Sequence, residues 1–183
     1  MSIAAALAAD KEPPAFKAPA AGSLPHRQTS GPLTVGVDTY IGGEKVKAAF
    51  GKLVPAQYGV LPVLVVIQND GDKTIRLENL HAEYVGSRMR VDATSAHDVR
   101  YAKAPSRPSI PIGPIGGRPK KNPLDAWEIE GRAFAAKMLP PGNTASGFFY
   151  FQTDLESGAT IYLSGLSEAE SGRQLLYFEI PLQ

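Results

Sequence analysis

The fold is decided between Tyr58 and Val85, in the stretch Y-G-V-L-P-V-L-V-V-I-Q-N-D-G-D-K-T-I-R-L-E-N-L-H-A-E-Y-V. Val60 to Ile67 is a dense apolar run, rich in β-branched side chains and too short to cross a bilayer. Asn69-Asp70-Gly71-Asp72 follows as turn chemistry, with Gly71 able to take a positive φ without steric cost. Thr74 to Glu78 then alternates apolar and polar, the pattern of a half-buried strand. The reading is a β-hairpin whose first strand is central and whose second has one wet face. Leu80, Ala82 and Tyr84 continue the apolar face on the opposite parity, so a bulge near Asn79 is expected to restore the phase.

Outward from this hairpin, short strands recur. Leu33, Val35 and Val37 share one face of a strand, and Gly42-Gly43 ends it. Between the two strands the period changes: Val46, Ala49, Phe50 and Leu53 fall at i, i+3, i+4 and i+7, one stripe of a short helix. Gly51 weakens its end and Pro55 lies beyond it. Arg88 to Asp92, the aromatic run Phe148 to Phe151, Thr160 to Ser164 and Gln174 to Pro181 complete the strands. The aromatic strand should be covered on both faces, and Leu176, Phe178 and Ile180 should share the inner face of the last one. The single tryptophan, Trp127, is expected to plug the core or close its end. With 18 Gly and 16 Pro in 183 residues, strands joined by turns are favoured over long helices. The fold class is all-β: a single antiparallel immunoglobulin-like β-sandwich with one short helix and a long Pro/Gly-rich loop.

Residues 1–32 read as a flexible leader and 33–183 as the sandwich domain. Asp10 to Pro32 contains too few large apolar side chains to offset the entropy of ordering it. Ile3 to Asp10 resembles the back half of a secretory signal, with an A-x-A-like site at Ala6 to Ala8, yet no Lys or Arg precedes Lys11. Two readings stay open. A start codon upstream makes this an exported protein of the periplasm or cell surface; Met1 as the true start leaves a small-residue tail on a cytoplasmic one.

Charge names no partner for the whole chain, since Lys plus Arg total 19 against 18 Asp plus Glu. No sequence-specific nucleic-acid partner is expected. The absence of cysteine removes disulfides, thiolate metal sites and a thiol nucleophile. No Gly-rich phosphate loop, G-x-S-x-G elbow or H-E-x-x-H occurs, so neither cofactor, metal nor catalytic residue is implied, and the protein reads as no enzyme. The segment Asp92 to Asp98 carries Thr94, Ser95, His97 and Asp98, but its spacing fits a polar loop with Asx and Ser/Thr turns. Glu128 and Glu130 read as a surface pair, although the 92–98 loop, with His97, and the carboxylates near Trp127 leave open a hydrolase of an envelope polymer.

One segment departs from neutrality. Ala104 to Pro123 holds six prolines and three glycines, which forbid a regular ladder. From Arg100 to Lys121 there are six basic residues and no acidic one, interleaved with Ile110, Ile112 and Ile115. Either this is a solvated loop, or Arg107, Arg118, Lys120 and Lys121 form a basic arm for an anionic polymer, an anionic lipid or another envelope protein.

Val63 to Leu77 (V-L-V-V-I-Q-N-D-G-D-K-T-I-R-L) and Leu139 to Phe151 (L-P-P-G-N-T-A-S-G-F-F-Y-F) resemble the telokin-like, immunoglobulin-like accessory domains of exported bacterial proteins. There an apolar strand runs into N-x-G/D-x-x-x-I-x-L, and a later L-x-P-G motif opens another strand. The resemblance implies an uncharacterised branch: a non-catalytic binding or interaction module of the cell envelope, with no catalytic residue carried over. An alternative is a structural subunit that assembles with itself, lending its leader as an added strand to a neighbour.

Overall fold

The central strand is β3 (Leu61–Asn69), and the computed structural model describes residues 16–102 and 122–183 around it. It pairs antiparallel with β2 (Leu33–Thr39) on one edge and β8 (Thr144–Phe151) on the other; β1 (His26–Ser30) extends the sheet beyond β2. Pro62 is tolerated because its missing N–H falls where the β2 ladder ends: its carbonyl accepts from Tyr40 N at 2.9 Å. The opposing sheet runs β11 (Phe178–Pro181), β9 (Thr160–Ser164), β5 (His81–Val85) and β6 (Arg90–Asp92). A small third sheet orders β10 (Ser167–Glu168), β4 (Ile75–Arg76) and β7 (Met138–Leu139). Every ladder between these strands is antiparallel, so the fold is an all-β sandwich.

The expected hairpin does not form. The first strand is central as read, but β4 joins the third sheet instead of pairing back on β3. Asn69 explains the divergence. Its side chain is buried, donates to Lys73 O at 2.8 Å and to Leu139 O at 3.1 Å, and accepts from Gly71 N at 3.0 Å. That tie bends the chain across to β7, and Gly71 does not take the positive φ foreseen for it. The phase change near Asn79 is likewise a turn, Leu80 N to Leu77 O at 3.0 Å, after which β5 starts in a different sheet.

Alternation along β3 separates two cores. Leu61, Val63, Val65 and Ile67 face the opposing sheet with Val35, Val37, Tyr84, Ile161, Leu163 and Ile180. Leu64 and Val66 face the other way, into a cluster with Tyr40, Phe50, Phe148 and Tyr150. Helices cover that second face: α1 (Gly43–Phe50), α2 (Ala96–Val99) and α3 (Trp127–Gly131). The stripe Val46, Ala49 and Phe50 is buried as its spacing predicts.

The boundary drawn at residue 33 is corrected. β1 pairs with β2 from His26↔Val37 to Ser30↔Leu33, so residues 26–30 make their ladder within this chain. Upstream, Ala21 and Leu24 are buried, and a Cβ on Gly36 would collide with Ala21 O. Phe16 packs tilted against Phe148 with ring centroids 5.5 Å apart. Residues 1–15 lie outside the described structure. At the far end, Leu176 is 73% exposed, because the last strand begins only at Phe178.

The two sheets meet on both sides. Thr94 N donates to Tyr150 O at 2.7 Å beside β8, and Glu179 N of β11 donates to the Gln28 side chain of β1 at 3.0 Å. Within the small sheet, Glu168 is almost buried yet accepts from Ser171, Lys73 and Arg173. Those hydrogen bonds, the Ser171 hydroxyl first and Arg173 next, hold its carboxyl down at about 2. Among the described residues no helix is long and apolar enough to cross a membrane.

Candidate functional site

Arg107, Arg118, Lys120 and Lys121 lie outside the described residues, together with the rest of 103–121. Both flanks of that segment are fixed on the helical face. Ala102 N donates to Val99 O at 2.9 Å, and the Asn122 side chain donates to Arg100 O at 2.6 Å while accepting from Leu124 N at 3.1 Å.

Arg100, at the C-terminal end of α2, organises this face. Its Nη1 lies 3.2 Å from Asp125 Oδ1 and its Nη2 3.1 Å from Glu130 Oε1. Its Nε donates to His97 O at 2.7 Å, and Nη2 donates to His97 Nδ1 at 2.6 Å. A guanidinium has no acceptor, so Nδ1 accepts. Arg100 is therefore bound up in the fold.

Asp92, His97 and Asp98 do not come together as an acid–base set. Asp92 pairs with His81 at 3.1 Å, whereas Asp98 belongs to the cap of α2, where Ser95 Oγ accepts from Asp98 N at 3.2 Å. The Ser95 bonding is local, as read from the sequence, but it caps a short helix rather than closing a polar loop. Among the described residues no group of three His, Asp or Glu side chains could hold a metal ion. Glu128 and Glu130 sit on a helix rather than an extended segment, so their side chains diverge.

Trp127 departs from its expected place: it is 64% exposed. The five residues Trp127–Gly131 form a helix with Ile129 as its buried member, and two residues away on a helix is nearly the opposite side. The indole is nonetheless held. A Cβ on Gly131 would lie 2.9 Å from Trp127 Cε3, so only glycine lets the ring settle there, and the Arg132 guanidinium stands 5.6 Å from the ring centroid. Arg132 also covers Phe16 at 5.2 Å and donates to Ala48 O at 3.3 Å; burial lowers its pKa. Beneath, the Tyr150 hydroxyl donates to Ile129 O at 2.8 Å, and burial drives its pKa up.

Beside the indole opens a recess of about 230 Å³ lined by Ala96, Arg100, Leu124, Asp125, Trp127 and Glu130. No sequence signal joined these residues. Arg100 and Asp125 are separated by the whole proline-rich segment, and the helix that turns Trp127 outward is too short for a periodicity.

No family model matches the chain, and no curated protein matches it. Among solved structures, the X-ray structure of Northeast Structural Genomics Consortium target SoR45 is similar at 14% identity, with 83% of each chain covered and a TM-score of 0.34.

Proposed function

We propose that this protein is a non-catalytic binding module of the bacterial cell envelope, periplasmic or surface-exposed, which engages an anionic polymer through Arg107, Arg118, Lys120 and Lys121. The observation that carries the reading is charge segregation: in a chain with 19 basic and 18 acidic residues, 100–121 contains six of the former and none of the latter. The surroundings support it. Lys45 is paired with Asp38, Lys73 and Arg173 with Glu168, Arg90 with Glu83, and Arg100 with Asp125 and Glu130. Those cations are spent on the fold. Both ends of the basic segment emerge from one face, so a partner held there would meet the same side of the sandwich. The resemblance to accessory domains of exported proteins agrees with an envelope role.

The experiment is binding of dextran sulfate to the full chain as a function of salt. With four charges engaged, affinity should fall by a factor on the order of tens between about 50 and 200 mM salt. The variant Arg107→Glu, Arg118→Glu, Lys120→Glu, Lys121→Glu should lose the binding while keeping its melting temperature. Binding unchanged in that variant, or absent from the parent at low salt, would sink the proposal. Amino-terminal sequencing of the native protein tests the compartment: a mature end near Ala9 or Asp10 supports export, and an intact Met1 or Ser2 in the cytoplasmic fraction refutes it.

A further inference from the structure

We propose that the recess beside Trp127 binds one pyranose ring of a neutral oligosaccharide. This goes beyond the preceding reading and stands on other residues, so it survives if the basic segment binds nothing.

Size comes first. At about 230 Å³ the recess is smaller than the roughly 300–1,000 Å³ of pockets that take drug-sized ligands, which leaves room for a single ring with its neighbours in solvent. Charge comes next. An anionic ligand would need Arg100, but that guanidinium already faces two carboxylates and the His97 ring. A cationic ligand would need Asp125 and Glu130, and both already face Arg100. One cation and two carboxylates line the recess, each already engaged with the other, and such walls suit a neutral molecule. Its remaining chemistry is an aromatic surface on one side and a rim of fixed carboxylate oxygens on the other. A pyranose matches both: its C–H face lies against an indole, and each hydroxyl can donate to a carboxylate lone pair. The carboxylates keep such capacity, since an ionised one offers about four acceptor sites.

Preorganisation strengthens the case. Asp125 and Glu130 are anchored by the same guanidinium, and the indole rests on Gly131 and Arg132. Little side-chain freedom is left to lose on binding. An exposed tryptophan contributes almost nothing to the core here, yet its position is fixed by a glycine that no larger residue could replace without moving it.

The chain has one tryptophan, so its emission reports this site alone. The full protein would be titrated with cello-, chito- and malto-tetrasaccharides at about 0.5 M salt, where exposed charges are screened over a few ångströms. A saturable blue shift with at least one of the three is expected. By calorimetry, Trp127→Ala should weaken that binding at least tenfold with the melting temperature held. Gly131→Ala should weaken it too, by pushing the ring aside, while Trp127→Tyr retains part of it. The proposal is overturned if none of the three sugars gives a saturable response, or if Trp127→Ala binds as the parent does.

Discussion

The two faces of one strand are covered in opposite ways. On the inner face, Val63, Val65 and Ile67 meet another sheet, and most of that core is aliphatic. On the outer face, Leu64 and Val66 lie beside Phe148 and Tyr150 of the neighbouring strand, with Tyr40 and Phe50 in the same cluster, under helices of eight residues or fewer. Helices so short are not stable alone, so the roof depends on the sheet for its existence. The sheet in turn needs something over its apolar back. One layer is built by ladders, the other by side chains that happen to converge.

The largest effect should come from Val65→Asp. It puts an unpaired charge between the sheets at a fully buried site, at a cost of several kcal/mol, and circular dichroism should find no cooperative β fold. A soluble, cooperatively melting variant would mean that the sheet-on-sheet core is not the essential one. Phe148→Ala strikes the other face. Phe148 touches the rings of Tyr40 at 4.9 Å and Phe50 at 4.8 Å, and its loss should cost about 3–5 kcal/mol. Hydrogen exchange should then speed up in α1 and α3 more than in β9. Equal acceleration everywhere would show that the two cores unfold as one.

These contrasts track what the sequence made legible. Period two exposed β2, β5 and β9, and the apolar run exposed β3, because those strands bury side chains in a regular rhythm. β1 stayed hidden: His26-Arg27-Gln28-Thr29-Ser30 has no apolar side chain, and its ladder with β2 is what holds it. The partner of β3 stayed hidden for another reason. A turn sequence after an apolar run announces a reversal, but which sheet receives the chain depends on Asn69 reaching Leu139, a contact seventy residues away. The helical layer was half legible. The stripe of α1 could be read, while α2 and α3 are too short for any stripe, and so Trp127 was placed inside when it lies outside. As for the candidate site, the basic stretch was visible as composition, whereas the Arg100 clamp was not.

Smaller effects refine the comparison. Glu168 belongs to the third sheet, away from both faces of β3. Its carboxyl is held at about 2 in the folded chain against an ordinary value of 4.5, so its contribution is complete above 4.5 and is lost as pH falls from there toward 2. Acid titration of the melting temperature should show that loss in the parent and a flatter profile in Glu168→Gln. Identical profiles would mean that the cluster does not couple to folding. The smallest effect is expected at Trp127→Ala, within about 0.5 kcal/mol, since the ring is mostly in solvent. A larger loss in thermal melts would make the indole part of the roof.

The seating of β3 between β2 and β8 also has a consequence for how the protein is made. Val63 to Ile67 leaves the ribosome soon after β2, but the strand that closes its other edge, Thr144–Phe151, follows only after β4 to β7 have been made. Until then a β-branched apolar segment carries an open row of backbone donors and acceptors, the profile that invites pairing with another copy. Native pairing at such sequence separation is slow, because a long loop must close before any contact rewards it. The nascent chain is thus most vulnerable between the emergence of β3 and that of β8, and the aromatic strand acts as the closing stave that ends the exposure.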